Sequence, residues 1–312
     1  MSEFNMLSEK QTMLHKALVH DYEEKIKVAK AEREIMGQYK EKRGAQIRDI
    51  MSRSNFDMAA IDQLRKDDVR ESKEFLDRVR PSLANREATK NNHAQDRAKR
   101  SSIIVPGQQT MPVHSATLLA STGSSLENNP GEKGNPWILP WNPGQVRIKA
   151  ADTPADNWGC GYIFGDPTYG AYTAQSNFFF TFIPDTTGNW FTEAQVNLSG
   201  FYILRADDSL FTCKECKAKL EINYQVYQYY WSGYNSISII DRDEGNVNEY
   251  GLIDQNYALS AQVALKAGDW VFIMMTVKIS AWANGGGSYS EINFSDGTQN
   301  FIEPFLAIAF PN

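Results

Sequence analysis

Three stretches of this 312-residue sequence carry side chains whose types and spacing could do chemistry. "FTCKECKAKLEINYQVYQYY" (211–230) holds a Cys-x-x-Cys at Cys213 and Cys216. "DRDEGNVNE" (241–249) gathers carboxylates around a glycine. "YQYYWSGYN" (227–235) gathers aromatic rings. The cysteine pair belongs to a run of strict alternation: Ala218, Leu220, Ile222, Tyr224 and Val226 share one side, and Lys217, Lys219, Glu221, Asn223 and Gln225 the other. Period two is the signature of a half-buried strand. If that strand reaches back through Cys213, the two thiols point to opposite faces about 10 Å apart. A disulfide needs Cα atoms within about 7 Å. A zinc knuckle needs a turn between its cysteines and about two further ligands. Cys160 offers one, and all four histidines (His15, His20, His93, His114) lie far upstream. No metal and no cofactor are therefore assigned.

The acidic loop departs from the calcium-loop pattern, which places Gly at the sixth position and Glu at the twelfth. Here Gly245 is fifth and Leu252 twelfth, which leaves room only for a looser surface calcium site. Without a histidine after residue 114, a Ser-His-Asp or Cys-His arrangement in the C-terminal half is excluded. Asp207 and Asp208 are adjacent, and neighbouring strand residues point apart, so they do not form a glycosidase pair. No catalytic residue is assigned.

What remains is aromatic. Tyr and Trp give rigid, amphipathic contact area and are enriched at recognition surfaces. Tyr230, Trp231 and Tyr234, with Tyr227 and Tyr229 beside them, sit near a turn. Trp282 and Tyr289 flank "NGGGS" (284–288) and are expected on a flexible hairpin, while "GNPWILPWNPG" adds Trp137 and Trp141. Tyr230, Trp231, Tyr234, Trp282 and Tyr289 are the candidate ligand-binding residues. The competing reading has most of these rings filling a core or a subunit interface.

The elements that must position them divide the chain into two materials. All seven Trp lie after residue 135, whereas residues 1–100 are dense in charge and contain one proline, Pro81. In the first part, Leu7, Leu14, Leu18, Tyr22, Ile26, Ala29 and Met36 recur at helical spacing. A second helix is capped by Asn55 or Asp57, with Ile61, Leu64, Asp68, Phe75, Leu76 and Val79 inward. Arg80 before Pro81 is expected to end it. These apolar stripes are narrow, too narrow to offset backbone ordering of roughly 1–2 kcal/mol per residue. The helices are therefore expected to pair with copies of themselves or with a partner, or else to dock on the other half or stay disordered until bound. Residues 84–134 lose all periodicity and read as a linker. In the second part, "TEAQVNLSGFYILRA" (Val196, Leu198, Tyr202 and Leu204 on one face, a bulge or bend at Gly200), "DWVFIMMTVKISAWA" and "FIEPFLAIAF" read as strands. The second is expected to be central because both its faces are apolar for most of its length, and the last, with Leu306, Ile308 and Phe310 on one face, is apolar enough to sit in the middle of the fold. Turn signals every ten or so residues indicate a β-sandwich or jelly roll.

"FTEAQVNLSGFYILRA" resembles the F-x-x-x-x-G-x-Y-x-F strand of complement-type and tumour-necrosis-factor-like heads. "VALKAGDWVFIMM" resembles their L-x-x-G-D-x-V strand, and "FIEPFLAIAF" their closing strand. The chain departs from the family at 136–190 and in a strand-rich insert at 225–260. The resemblance implies a trimeric jelly-roll head, often carried on a stalk, that binds ligands on its outer surface. A charged helical stalk would here replace a collagen-like one. Similar heads occur at fibre tips on bacterial viruses and on spores.

The expectation is thus a two-part α plus all-β chain. Residues 1–83 are a helical oligomerisation or docking segment, 84–134 a linker and 135–312 a β-sandwich (jelly-roll) head. The function expected is non-catalytic. A homo-oligomer, a trimer by resemblance, binds a surface glycan or protein receptor and meets a particle or assembly partner through residues 1–83. A glycan-processing enzyme and a toxin or pore component are the alternatives. A net charge of −6 gives no general pull toward nucleic acid. No apolar run is long enough for a membrane span. The start of the chain lacks a basic-then-apolar signal peptide, so cytoplasmic synthesis is expected, with release as part of a virion or secreted particle.

Overall fold

The computed structural model describes residues 45–85, 117–119, 121–127, 137–138, 146–152, 171–206, 214–285 and 287–311, with single helical positions between 9 and 42. The apolar stripe read at Leu7, Leu14, Leu18, Tyr22, Ile26, Ala29 and Met36 lies outside the described residues. So do Cys160, Cys213, Asp207, Asp208 and Trp141.

Two six-stranded antiparallel sheets face each other. Twelve strands build them, in order β1 (Thr117–Leu119), β2 (Ser121–Glu127), β3 (Trp137–Ile138), β4 (Lys149–Asp152), β5 (Ala171–Phe182), β6 (Gly188–Ala206), β7 (Glu215–Tyr227), β8 (Trp231–Glu244), β9 (Val247–Leu265), β10 (Val271–Asn284), β11 (Tyr289–Asn293) and β12 (Phe301–Pro311). The first sheet runs β1-β12-β6-β11-β4 with β9 also on β6, and the second runs β3-β2-β5-β10-β7-β8. Between them, Val196, Leu198, Leu204, Ile292 and Phe294 of the first sheet meet Phe178, Phe180, Leu220, Ile222, Ile273, Val277 and Ile279 of the second. The alternation read in β7 holds along its length, with Cys216 and every second residue to Val226 buried. β10 is central, between β5 and β7, and β12 lies between β1 and β6.

Strand β6 organises the first sheet. It pairs with β9 over all 19 of its residues. On its other side it pairs with β12 up to Ser199 and with β11 from Phe201. Gly200 sits at that exchange. The register with β9 runs through it without a bulge, contrary to expectation; a Cβ there would meet the Phe294 ring at 2.5 Å and the Asn293 carbonyl at 2.6 Å. Glycine is needed for close approach, not for a bend.

Three boundaries differ from the sequence reading. The stretch 84–134 contributes β1 and β2, so the sheets begin at Thr117 and not at 135. Short, polar strands such as "STGSSLE" lack the alternation that identifies a strand. Pro81 does not end the second helix. α1 (residues 45–53) and α2 (Met58–Ala84) are joined by a turn with Asn55 at φ 57°, and α2 continues a turn past Pro81. Asp57 is the cap, its carboxylate accepting from the Ala59 and Ala60 amides. Residues 225–260, read as an insert, are the integral edge strands β8 and β9. They join through Gly245–Asn246, yet β8 edges one sheet and β9 the other.

α2 lies on the outer face of the first sheet. Leu76 and Leu83, with Phe75 and Val79, cover Phe201, Ile203 and Tyr289. Its first turns instead form a small cluster with α1 through Met51, Ile61, Ile47 and Met58, and Leu64, expected inward, is exposed. Among the described residues no helix is long and apolar enough to cross a membrane.

Candidate functional site

The five candidate residues divide among three places. At one end of the sandwich, Tyr229, Tyr230, Trp231 and Tyr234 are 52%, 67%, 38% and 63% exposed. Trp231 and Tyr234 are three residues apart on one strand, so regular alternation would set them on opposite faces. A bulge in β8 removes that conflict. Pairing steps from Val226↔Ser232 to Tyr224↔Asn235, so Gly233 and Tyr234 together oppose Gln225. Gly233 takes φ 61°, and a Cβ on it would meet Val263 at 2.5 Å and Ala261 at 2.9 Å. Only glycine fits that position. Both rings consequently lie on the outer face of the second sheet. Trp231 packs on Tyr227 with centroids 5.1 Å apart, and the Tyr234 hydroxyl donates to Asn223 Oδ1 at 3.3 Å.

The tip is held from below by Gln228, a residue the sequence reading passed over. Its side-chain amide donates to the Lys266 carbonyl (2.7 Å) and the Asp269 carbonyl (3.4 Å), and its oxygen accepts from the Lys266 amide (2.9 Å). This ties the β7–β8 turn to the β9–β10 turn. That turn is in turn fixed to the β5–β6 turn by Gly268 N–H to the Pro184 carbonyl and Ala267 N–H to Thr187 Oγ1. The Tyr229 phenol is raised above its usual range by desolvation and by the Asp269 carboxylate it bonds. The only sequence signal for Gln228 is a polar residue at an inward position of the alternation.

The other two candidates belong elsewhere. Trp282 is half-buried in β10, with the Lys217 ammonium 5.1 Å from its ring centroid. Tyr289 is not on a surface hairpin. It begins β11, is 1% exposed beneath α2, and accepts from the Arg80 guanidinium while donating to Glu291. Its phenol is pushed far above the ordinary range by burial and by Glu291. Arg80 Nε also reaches Glu291 at 3.2 Å, and Asn293 donates to the second Glu291 oxygen at 2.6 Å. Further up the helix, Asp68 pairs with the buried Lys214 at 2.9 Å. The Arg205 guanidinium lies 5.0 Å from the Phe75 ring centroid. The helix backbone abuts two left-handed glycines: a Cβ on Gly287 would meet the Asp68 carbonyl at 2.9 Å, and one on Gly297 the Ala84 carbonyl at 1.7 Å. These contacts make a keyed seat for α2.

Three carboxylates of the acidic stretch 241–249 have partners along the ladder. Asp243 pairs with Lys217 at 2.8 Å, Arg242 with Glu244 at 3.2 Å, and Glu249 accepts from Tyr202. Tyr202 is raised to about 12 by burial and by that carboxylate. Cys216 is a free, buried thiol pushed up to about 12, first by burial. Among the described residues no group of three or more His, Cys, Asp or Glu side chains is placed to hold a metal ion.

No protein-family model matches the chain, and no curated protein matches it in sequence. Among solved structures it is similar to the carbohydrate-binding module TmCBM61 in complex with β-1,4-galactotriose. Identity is 8% over 64% of this chain and 90% of that one, with a TM-score of 0.20. It is similar to the tumour necrosis factor Eiger from S. frugiperda (10% identity, 57% and 90% covered, TM-score 0.17). It is also similar to the enzymatically active domain of tailspike protein 4 from bacteriophage CBA120 (14% identity, 58% and 19% covered, TM-score 0.16). Scores of this size carry no argument about ligand or activity, and the sandwich stands on its own strand ladders.

Proposed function

We propose that this protein is a non-catalytic binding module that takes a surface glycan on the aromatic tip of its second sheet. One observation carries the reading: four large aromatic side chains stay exposed on one hairpin while the turns beneath them are pinned by the Gln228 amide. Exposed aromatic clusters on a soluble domain mark interaction sites, and a rigid base lowers the ordering cost of binding. Sugar rings present C–H faces that stack on Trp and Tyr, and their hydroxyls bond to amides such as Asn223. The helical segment serves assembly: α1 and the first turns of α2 stand clear of the sheets, with Ile50 and Leu64 exposed, and are free to meet another copy or an assembly partner. The test is a glycan array on the full chain, followed by titration of the hits and assay for turnover. Binding without product, lost in Trp231→Ala, supports the reading. Product formation overturns the non-catalytic part, and an array with no hits overturns the glycan part.

A further inference from the structure

The geometry of the tip points further, to the class of glycan, and this inference rests on the reading just given: we infer that the ligand is an uncharged chain of at least two sugar units, laid along β7 and β8. Trp231 pairs with Tyr227, and Tyr234 stands opposite Gln225. Those two β7 positions are two residues apart, which sets the attachment points of the two side chains roughly 7 Å apart along the strand. That interval is longer than one pyranose unit, so a single sugar ring does not cover both side chains and the two take different units of one chain. The polar groups beside and between them are neutral. Gln225 and Asn223 belong to the outward side of β7, and the Asn223 oxygen already receives the Tyr234 hydroxyl, leaving its NH₂ to face ligand oxygens.

Charge decides against an acidic glycan. Recognition of a carboxylate or sulfate calls for Arg or Lys able to pair with it. On the same face, Lys219 holds Glu221 at 2.8 Å, and Lys217 holds Asp243 at 2.8 Å and Glu215 at 3.4 Å. Lys278 lies opposite Glu221 in the strand ladder, so that carboxylate sits beside two ammonium groups. At the tip, Lys266 shares the turns with Asp269 and Asp185, so no net positive charge collects there. An anionic ligand would break existing ion pairs or sit beside Asp269 uncompensated.

The experiment is calorimetric titration of the full chain with neutral oligosaccharides of increasing length drawn from the array hits. Sialylated and sulfated oligosaccharides of matched length are titrated in parallel, at low and high salt. The expected result is binding of neutral chains of two or more units, insensitive to salt. The matching monosaccharide and the acidic analogues should each be about tenfold weaker or worse. Trp231→Ala and Tyr234→Ala, which remove side chains outside the sandwich core, should each cost about tenfold in affinity, with the thermal midpoint lowered by no more than a few degrees. Tighter, salt-dependent binding of acidic glycans overturns the charge inference and leaves the glycan reading standing. A monosaccharide that binds as well as its oligomers overturns the two-ring grip. Absence of binding to every sugar overturns both.

Discussion

Two aromatic regions of this molecule use the same residue types to opposite ends. Under α2, Tyr289 is packed against Ile203 and Phe201 and its hydroxyl is consumed by Arg80 and Glu291. At the tip, Tyr230, Trp231 and Tyr234 are exposed to solvent on a base pinned by the Gln228 side-chain amide. In the first region one charged partner, Arg80, comes from 209 residues away in the chain, while Glu291 is two residues away on the same strand; in the second the partners lie within one hairpin and the turn beside it. The difference teaches that what separates a structural ring from a recognition ring is where its polar end finds a partner. Composition alone does not separate them.

That contrast can be broken in several ways, the largest effect first. Cys216 shifts from its ordinary 9.0 to about 12, and Tyr202 from 10.0 to about 12; Tyr289 also moves upward. A raised folded-state value stabilises fully below the unfolded value and is lost as pH climbs through the folded one. Stability should therefore be level to about pH 9 and fall between pH 9 and 12, with Cys216 alone accounting for up to roughly 4 kcal/mol. Cys216→Ala, followed by urea unfolding across that range, should flatten the fall; an unchanged slope would show that the thiol is not shielded. Next, Arg80→Ala leaves Glu291 buried without its cation and should cost about 3 kcal/mol, seen as a lower urea midpoint. A cost below about 0.5 kcal/mol would mean that α2 is not seated on this sheet in solution.

Gly297→Ala drives a methyl into the end of α2 at a left-handed position. The expected loss is about 2 kcal/mol, with hydrogen exchange rising first in residues 76–84. Gly233→Ala strains the bulge and should cost about 1 kcal/mol while lowering sugar affinity, because Tyr234 loses its place opposite Gln225. Smallest is Trp231→Ala, which should leave stability within about 0.5 kcal/mol. A large destabilisation there would mark the tip as core that merely looks exposed.

The central strands could be read directly because both of their environments are written locally: β7 alternates without interruption and β10 is apolar on both faces. β8 and β9 were harder. As edge strands they need little apolar content, so "SGYNSISII" shows no clear inner side, and the bulge at Gly233 shifts its alternation midway. The exposed aromatics of 229–234 were found from composition near a turn. The exclusion of Tyr289 was not, because its burial depends on a helix 200 residues upstream. Pro81 misled for a definite reason. A proline in the last turn of a helix forfeits one backbone bond, and Asn85 N–H to the Pro81 carbonyl at 2.9 Å still closes the end. The family-like motifs in β6, β9–β10 and β12 coincide with strands of the sandwich.

Strand β6 also sets the timetable by which this molecule can be made. One flank of that long ribbon waits for β9, and the other for β11 and then β12, whose partners lie about a hundred residues later in translation. Contacts this distant make for slow folding. Until residues 301–311 have left the ribosome, the central strand of the first sheet carries a bare hydrogen-bonding rim, the form in which nascent β proteins stick to one another. Late capture of that rim, more than the final stability of the sandwich, would govern how much soluble protein a cell recovers.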